Sequence, residues 1–140
     1  MKKSGQTTLY RVLDANANRA REALRVCEDV TRFVLASPSL TRELKRLRHA
    51  VTQALGKLPK TYRTMVHARD SVRDCGKRSM ICDTKKDTVE LLFIRNIKRA
   101  GEATRVLEEF VKMIAPAYAR SFQRIRFGLY AIEKKTLSRF

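Results

Sequence analysis

Residues 16–28 (NANRAREALRVCE) and 96–108 (NIKRAGEATRVLE) are one pattern written twice, identical at eight of thirteen positions across an offset of 80 residues. The shared residues are Asn16/Asn96, Arg19/Arg99, Ala20/Ala100, Glu22/Glu102, Ala23/Ala103, Arg25/Arg105, Val26/Val106 and Glu28/Glu108. Two unrelated amphipathic helices would match only in placing hydrophobes at similar intervals. Here the polar residues recur by identity, which helix formation alone does not require. A weaker echo follows each copy: RELKRLRHAV at 42–51 aligns with RSFQRIRFGL at 120–129, now offset by 78, so the later copy is two residues shorter near the end of its first helix. Two copies fall short of a solenoid, which needs about three to bury a continuous core. The pattern predicts one domain over residues 1–140 with an internal pseudo-two-fold, repeat one at about 8–56 and repeat two at about 88–140.

Apolar residues at 9, 13, 20, 24, 27, 30 and 34 predict a long amphipathic helix from about Thr8 to Ala36. Ser37-Pro38 supplies a capping residue followed by proline at the first helical position, and Gly56 is a candidate left-handed stop for the helix that follows. A third long helix is expected from Asp87 or Thr88 to just before Pro116, and a fourth from there nearly to Phe140. Strand-like alternation is absent. The expected fold class is all-α, a bundle of two long-helix hairpins. Residues 57–87, with nine basic and four acidic residues, form the connection, with a short helix near 60–67 and a functional loop from Arg69 to Arg78.

On a helix turning about 100° per residue, Asn16 falls in the apolar sector with Leu13, Ala20, Ala23 and Cys27. Arg19 and Glu22 flank one edge of that seam, and Arg25 and Glu28 lie on the other side. One reading of the repeat is structural: Asn16 and Asn96 pair across the pseudo-two-fold, and Arg19–Glu22 and Arg105–Glu108 are ion pairs on the helix surface, each contributing a few tenths of a kcal/mol, as ~0.3. The other is an anion site. Arginine presents a planar fork of donors suited to phosphate oxygens, and interleaved carboxylates orient that fork or hold magnesium. Arg48 and Arg126, from the helices that follow each copy, would complete the clamp.

Thirty-one basic against fourteen acidic residues give a net charge of +17, which predicts attraction to polyanions: nucleic acid, anionic lipid or phosphorylated small molecules. No apolar run approaches the roughly 18 residues of a membrane span, and the basic N-terminus lacks a signal-peptide core, so a cytoplasmic protein without a membrane partner is expected. Three cysteines at irregular spacing are not a disulfide framework. Cys27 reads as a small buried hydrophobe, and His67, Cys75 and Cys82 match no usual zinc spacing. A homo-oligomer is compatible with the pattern.

The stretches DANANRAREALRVCEDVTRFVL, LKRLRHAV, ARDSVRDCG and RNIKRAGEATRVLEEF, spread over residues 9–130, resemble the small hydroxymethylpyrimidine-phosphate kinases of thiamin biosynthesis, found alone or fused ahead of thiamine-phosphate synthase. The resemblance implies phosphoryl transfer from ATP, with magnesium, to hydroxymethylpyrimidine phosphate. It departs after Asp74-Cys75-Gly76, where Lys77-Arg78 and later Lys85-Lys86 stand in place of the small or hydroxyl, acidic and arginine residues expected. A (β/α)8 synthase barrel takes roughly 200 residues or more and is not contained in these 140, so a synthase label is not expected to fit them. With no G-x-x-x-x-G-K-[ST] loop, phosphates would be held by side chains. The acceptor is a phosphate oxygen, largely ionised at neutral pH, so the site must chiefly neutralise charge.

The resemblance and the anion-site reading together give a candidate set. Arg19, Arg99 and Arg69 clamp phosphates with Asp70 and Asp74 as catalytic partners. Glu22 and Glu102 hold magnesium and, with Arg48 and Arg126, the nucleotide. Asn16 and Asn96 bind the pyrimidine. The rival readings are a basic helical nucleic-acid-binding protein and a non-catalytic relative that binds a thiamin precursor. Against nucleic acid, the repeat carries acidic residues that a DNA-binding face would lack, and there is no helix-turn-helix spacing or stacking platform.

Overall fold

The computed structural model describes residues 3–58, 61–77 and 88–140. Among them are five α-helices and no strand: α1 (Lys3–Asp29), α2 (Pro38–Gly56), α3 (Thr61–Ala68), α4 (Val89–Ile114) and α5 (Ala119–Leu137). Each long helix starts where local chemistry supplies a cap. The Ser37 hydroxyl accepts from the Leu40 amide at 3.5 Å ahead of Pro38, and the Thr88 hydroxyl accepts from the Leu91 amide at 3.2 Å. Both replace an intrahelical partner that the first turn lacks. Helix α4 stops before Pro116, whose ring cannot continue it, and a single 3-10 turn (Pro116–Tyr118) leads into α5.

The apolar stripes meet in one core. Leu13, Leu24, Leu44, Val51, Phe93, Leu107, Val111, Phe122, Leu129 and Ile132 are all buried, and α1 packs most extensively on α4. Helix α2 lies on α1, α5 lies on α4, α2 and α5 touch, and the short α3 rests on α1. Buried Ala20, Ala23, Ala100 and Ala103, repeated between α1 and α4, keep the two helices slim where they pack. At the α2–α5 contact a side chain on Gly128 would come within 2.8 Å of a Leu47 methyl, so glycine fits this close approach.

Two expectations are corrected. Gly56 is not a left-handed stop: it is the last residue of α2, and no glycine among the described residues has positive φ. The left-handed residue is Ala36, at φ 48°. Helix α1 also does not run as a regular helix to Ala36. From Val30 to Val34 it widens into a π-helical turn, with Leu35 N bonded to Val30 O and Ser37 N to Thr31 O. The buried Thr31 hydroxyl fixes this turn, donating to the Glu28 carbonyl and meeting the Thr41 hydroxyl, both at 3.0 Å. Here lies the physical form of the two-residue length difference between the repeats. Repeat one absorbs its extra residues in the wide turn and the Ala36 kink, whereas α4 stays α-helical to Ile114.

Candidate functional site

Five of the predicted residues come together in one cleft of about 470 Å³ beside α1. Its walls are Arg11, Asp14, Asn16 and Arg19 from α1 and Arg69, Asp70, Ser71 and Asp74 from the segment after α3. Positions 11, 14/15 and 18/19 share a helical face, so one stripe of α1 supplies the floor. The opposite wall is held by a fork-to-fork ion pair, Arg69 Nε to Asp14 Oδ2 and Nη2 to Oδ1, each at 2.7 Å. The Asp14 side chain is 9% exposed and that of Arg69 47%. The hydrogen bond and the charge of Asp14 hold the Arg69 guanidinium's pKa above its ordinary value. A second tie runs from Arg11 Nη2 to the Asp70 carbonyl at 3.5 Å.

The segment orders itself beyond these ties. The Asp70 carboxylate accepts from the Arg73 amide at 3.1 Å, and the Asp74 carboxylate from the Gly76 amide at 2.8 Å. Asn16 is buried, and its amide is committed to its own helix: Nδ2 donates to the Val12 carbonyl at 2.9 Å, and Oδ1 accepts from Arg19 Nη1 at 3.4 Å. Apart from that long contact, the exposed Arg19 guanidinium faces the cleft with its donors available. The cleft is thus lined by three arginines and three aspartates, with Arg69 committed to Asp14 and the Arg19 guanidinium presenting donors to the opening.

The other predicted residues lie elsewhere. Asn96 repeats the Asn16 geometry, donating to the Leu92 carbonyl at 2.9 Å, so each asparagine caps a carbonyl of its own helix and the expected pairing between them is not formed. Arg99 and Glu22 are exposed and outside this cleft, and Glu102 lines a separate one. Arg48 and Arg126 are both engaged with buried glutamates. Arg48 donates from Nε and Nη2 to the two carboxylate oxygens of Glu28, and Arg126 Nε donates to Glu108 at 3.0 Å. On the helix itself, Arg25 lies 3.6 Å from Glu28 and Arg105 3.0 Å from Glu108. Much of the repeated polar sequence is thus a repeated cross-helix clamp tying α1 to α2 and α4 to α5. Arg126 also donates to the Tyr130 hydroxyl at 3.2 Å, and this bond and the Glu108 contact push its pKa above the ordinary value.

Sequence reasoning missed Asp14, Arg11 and the burial of Glu28 and Glu108. The sequence carries little signal for Asp14: at about 100° per residue it lies on the far side of α1 from Asn16, and its burial and its partner Arg69 appear only in the folded structure. Among the described residues no three of His, Cys, Asp and Glu cluster to hold a metal. The grouping of His67, Cys75 and Cys82 includes Cys82, which with Arg78, Lys85 and Lys86 lies outside the described residues. A larger cleft of about 670 Å³ lies at the α1–α2 junction among Arg25, Arg32, Arg42 and Lys45, and contains none of the predicted site residues. No described helix is long and apolar enough to cross a membrane.

Sequence comparison fixes the family. Residues 11–135 match the ThiD2 family model, and the chain belongs to that family. Similar proteins named thiamine-phosphate synthase occur in Synechocystis sp. (36% identical over 98% of this chain and 38% of that protein), Nostoc punctiforme (33%, over 97% and 37%) and a Synechococcus strain (39%, over 91% and 35%). These matches tie the chain to proteins of thiamin biosynthesis, of which it spans little more than a third of the length. They also correct the enzyme expected from sequence. The relatives carry the name of a synthase, a different enzyme from a hydroxymethylpyrimidine-phosphate kinase, and the kinase assignment does not stand. No solved structure matches the chain significantly.

Proposed function

We propose that this helical domain binds a phosphorylated pyrimidine precursor of thiamin in the cleft between α1 and the segment after α3. The observation that carries the reading is the Asp14–Arg69 fork, which draws Asp70 and Asp74 toward the arginines of α1 and makes a pocket from two separate stretches of chain. In this reading Arg19, joined by Arg11, takes the phosphate, because a guanidinium meets two phosphate oxygens at once. The carboxylates of Asp70 and Asp74 accept from the ring's amino group. Family membership and the synthase names of the relatives supply the choice of a thiamin precursor among phosphorylated small molecules.

Equilibrium binding of hydroxymethylpyrimidine phosphate, followed by calorimetry, tests this directly. Arg19→Ala is expected to weaken binding about tenfold or more, the loss of one charge-assisted pair, while the helical signal is unchanged. Equal affinity in the variant, or no binding by the parent chain, would sink the proposal. The same samples with ATP and magnesium added, the cofactors expected from sequence, report whether these alter precursor affinity and whether any ADP forms.

A further inference from the structure

The two repeats differ at one inward-edge position with an open consequence. Repeat one has Arg21, whose guanidinium reaches across to the Thr52 hydroxyl of α2 at 3.4 Å and to Asn18 at 2.9 Å. The matching position in repeat two is Gly101, and Thr52 is matched by Tyr130. Where the arginine lies in one half, the other half has a cleft of about 380 Å³ between α4 and α5. A methyl group built on Gly101 would meet no atom within 4 Å. Gly101 itself is buried, so the opening lies directly over the helix backbone, with Ile97 and Leu129 beside it.

This cleft lacks the basic excess of the rest of the molecule, its lining carrying two cations and two carboxylates. Although basic residues outnumber acidic ones 31 to 14, neither Glu102 nor Glu133 has a basic partner among the described residues. Of the two cations at the rim, Arg105 is held by Glu108 at 3.0 Å and Glu109 at 2.9 Å. Glu108 is shared with Arg126, which stands beside Tyr130, and Glu109 with Lys112, so four cations meet four carboxylates around this cleft. Distant basic residues matter little here, because exposed charges are screened beyond about 8 Å at physiological salt. Tyr130, tied by its hydroxyl to Arg126 and edge-on to Phe127 at 5.8 Å, supplies an aromatic wall held in place from behind.

We infer that the α4–α5 cleft is a second ligand site, for a planar heteroaromatic cation whose ring lies over Gly101 against Tyr130 and whose positive or amino groups face Glu102 and Glu133. A flat ring suits a floor with no side chain, and an aromatic face beside two carboxylates is the usual environment for an organic cation. The site is separate from the α1 cleft and does not depend on its occupant.

The test uses the full chain with two probes, thiamin (an aminopyrimidine joined to a cationic thiazolium) and benzamidinium as a minimal planar cation. Gly101→Arg restores the repeat-one side chain and is expected to abolish binding of both; Gly101→Ala, a smaller intrusion, keeps the test valid if the arginine variant fails to fold. Glu102→Gln combined with Glu133→Gln is expected to weaken binding about tenfold. Arg19→Ala should leave it unchanged. No millimolar binding of either probe, binding indifferent to Gly101→Arg, or binding lost with Arg19→Ala would each overturn the inference.

Discussion

At the scale of single residues, the repeated motif performs two jobs that its letters do not separate. Glu28 and Glu108, spaced like surface ion-pair partners, are buried and clamp neighbouring helices through Arg48 and Arg126. Asn16 and Asn96 stabilise carbonyls of their own helices rather than each other. The repetition of polar residues was legible, and so was the Arg105–Glu108 pair within α4, but the carboxylates that Arg48 and Arg126 meet were not, because those pairings depend on how α2 and α5 are placed. Cys27 was legible: the apolar face buried it, and burial, reinforced by the nearby charges of Glu133 and Glu28, pushes its pKa up to about 12 from an ordinary 9.0. A thiol that holds its proton more tightly when folded contributes stability that is complete below pH 9 and lost as pH rises through 12. The wild-type chain should therefore lose stability between pH 9 and pH 11 more steeply than Cys27→Ala, by a slope difference of up to about 1.4 kcal/mol per pH unit. Denaturant titrations at both pH values check this, and parallel slopes would show that the thiol does not ionise on unfolding.

At the scale of elements, long helices announced themselves and their irregularities did not. Ser37-Pro38, Thr88 and Pro116 marked boundaries to within a residue or two, since caps and proline act locally. The π-helical turn at Val30–Val34 left only an indirect trace, the change of offset between the repeats from 80 to 78. The left-handed residue is alanine rather than glycine, which no turn rule would select. Its Cβ crowds the following carbonyl, at a strain of roughly 1 kcal/mol. Ala36→Gly is accordingly expected to stabilise the chain by up to about 1 kcal/mol, offset in part by the greater freedom of glycine when unfolded. A higher denaturant midpoint at constant slope would bear this out. A lower midpoint would mean that the kink carries no strain. The cleft beside α1 was half legible for a related reason: Asn16, Arg19, Arg69, Asp70 and Asp74 stood out as residue types, but their meeting place is set by Asp14, whose role appears only when the segment after α3 folds back on α1.

At the scale of the whole molecule, the doubled scaffold is symmetric in its packing and asymmetric in its openings. Both halves use the same alanines where α1 meets α4 and the same glutamate–arginine clamps outside it. The charge of +17 acts on top of this as a long-range attraction for anions and carries no information about the fold. The position matching Asp14 in repeat two is Ile94, which has no carboxylate to latch an arginine. A doubled chain of this kind therefore counts like a single one: titration with hydroxymethylpyrimidine phosphate should saturate at one equivalent per chain, with no second transition at higher concentration. A second equivalent that persists in Gly101→Arg would assign a latch to the other half as well.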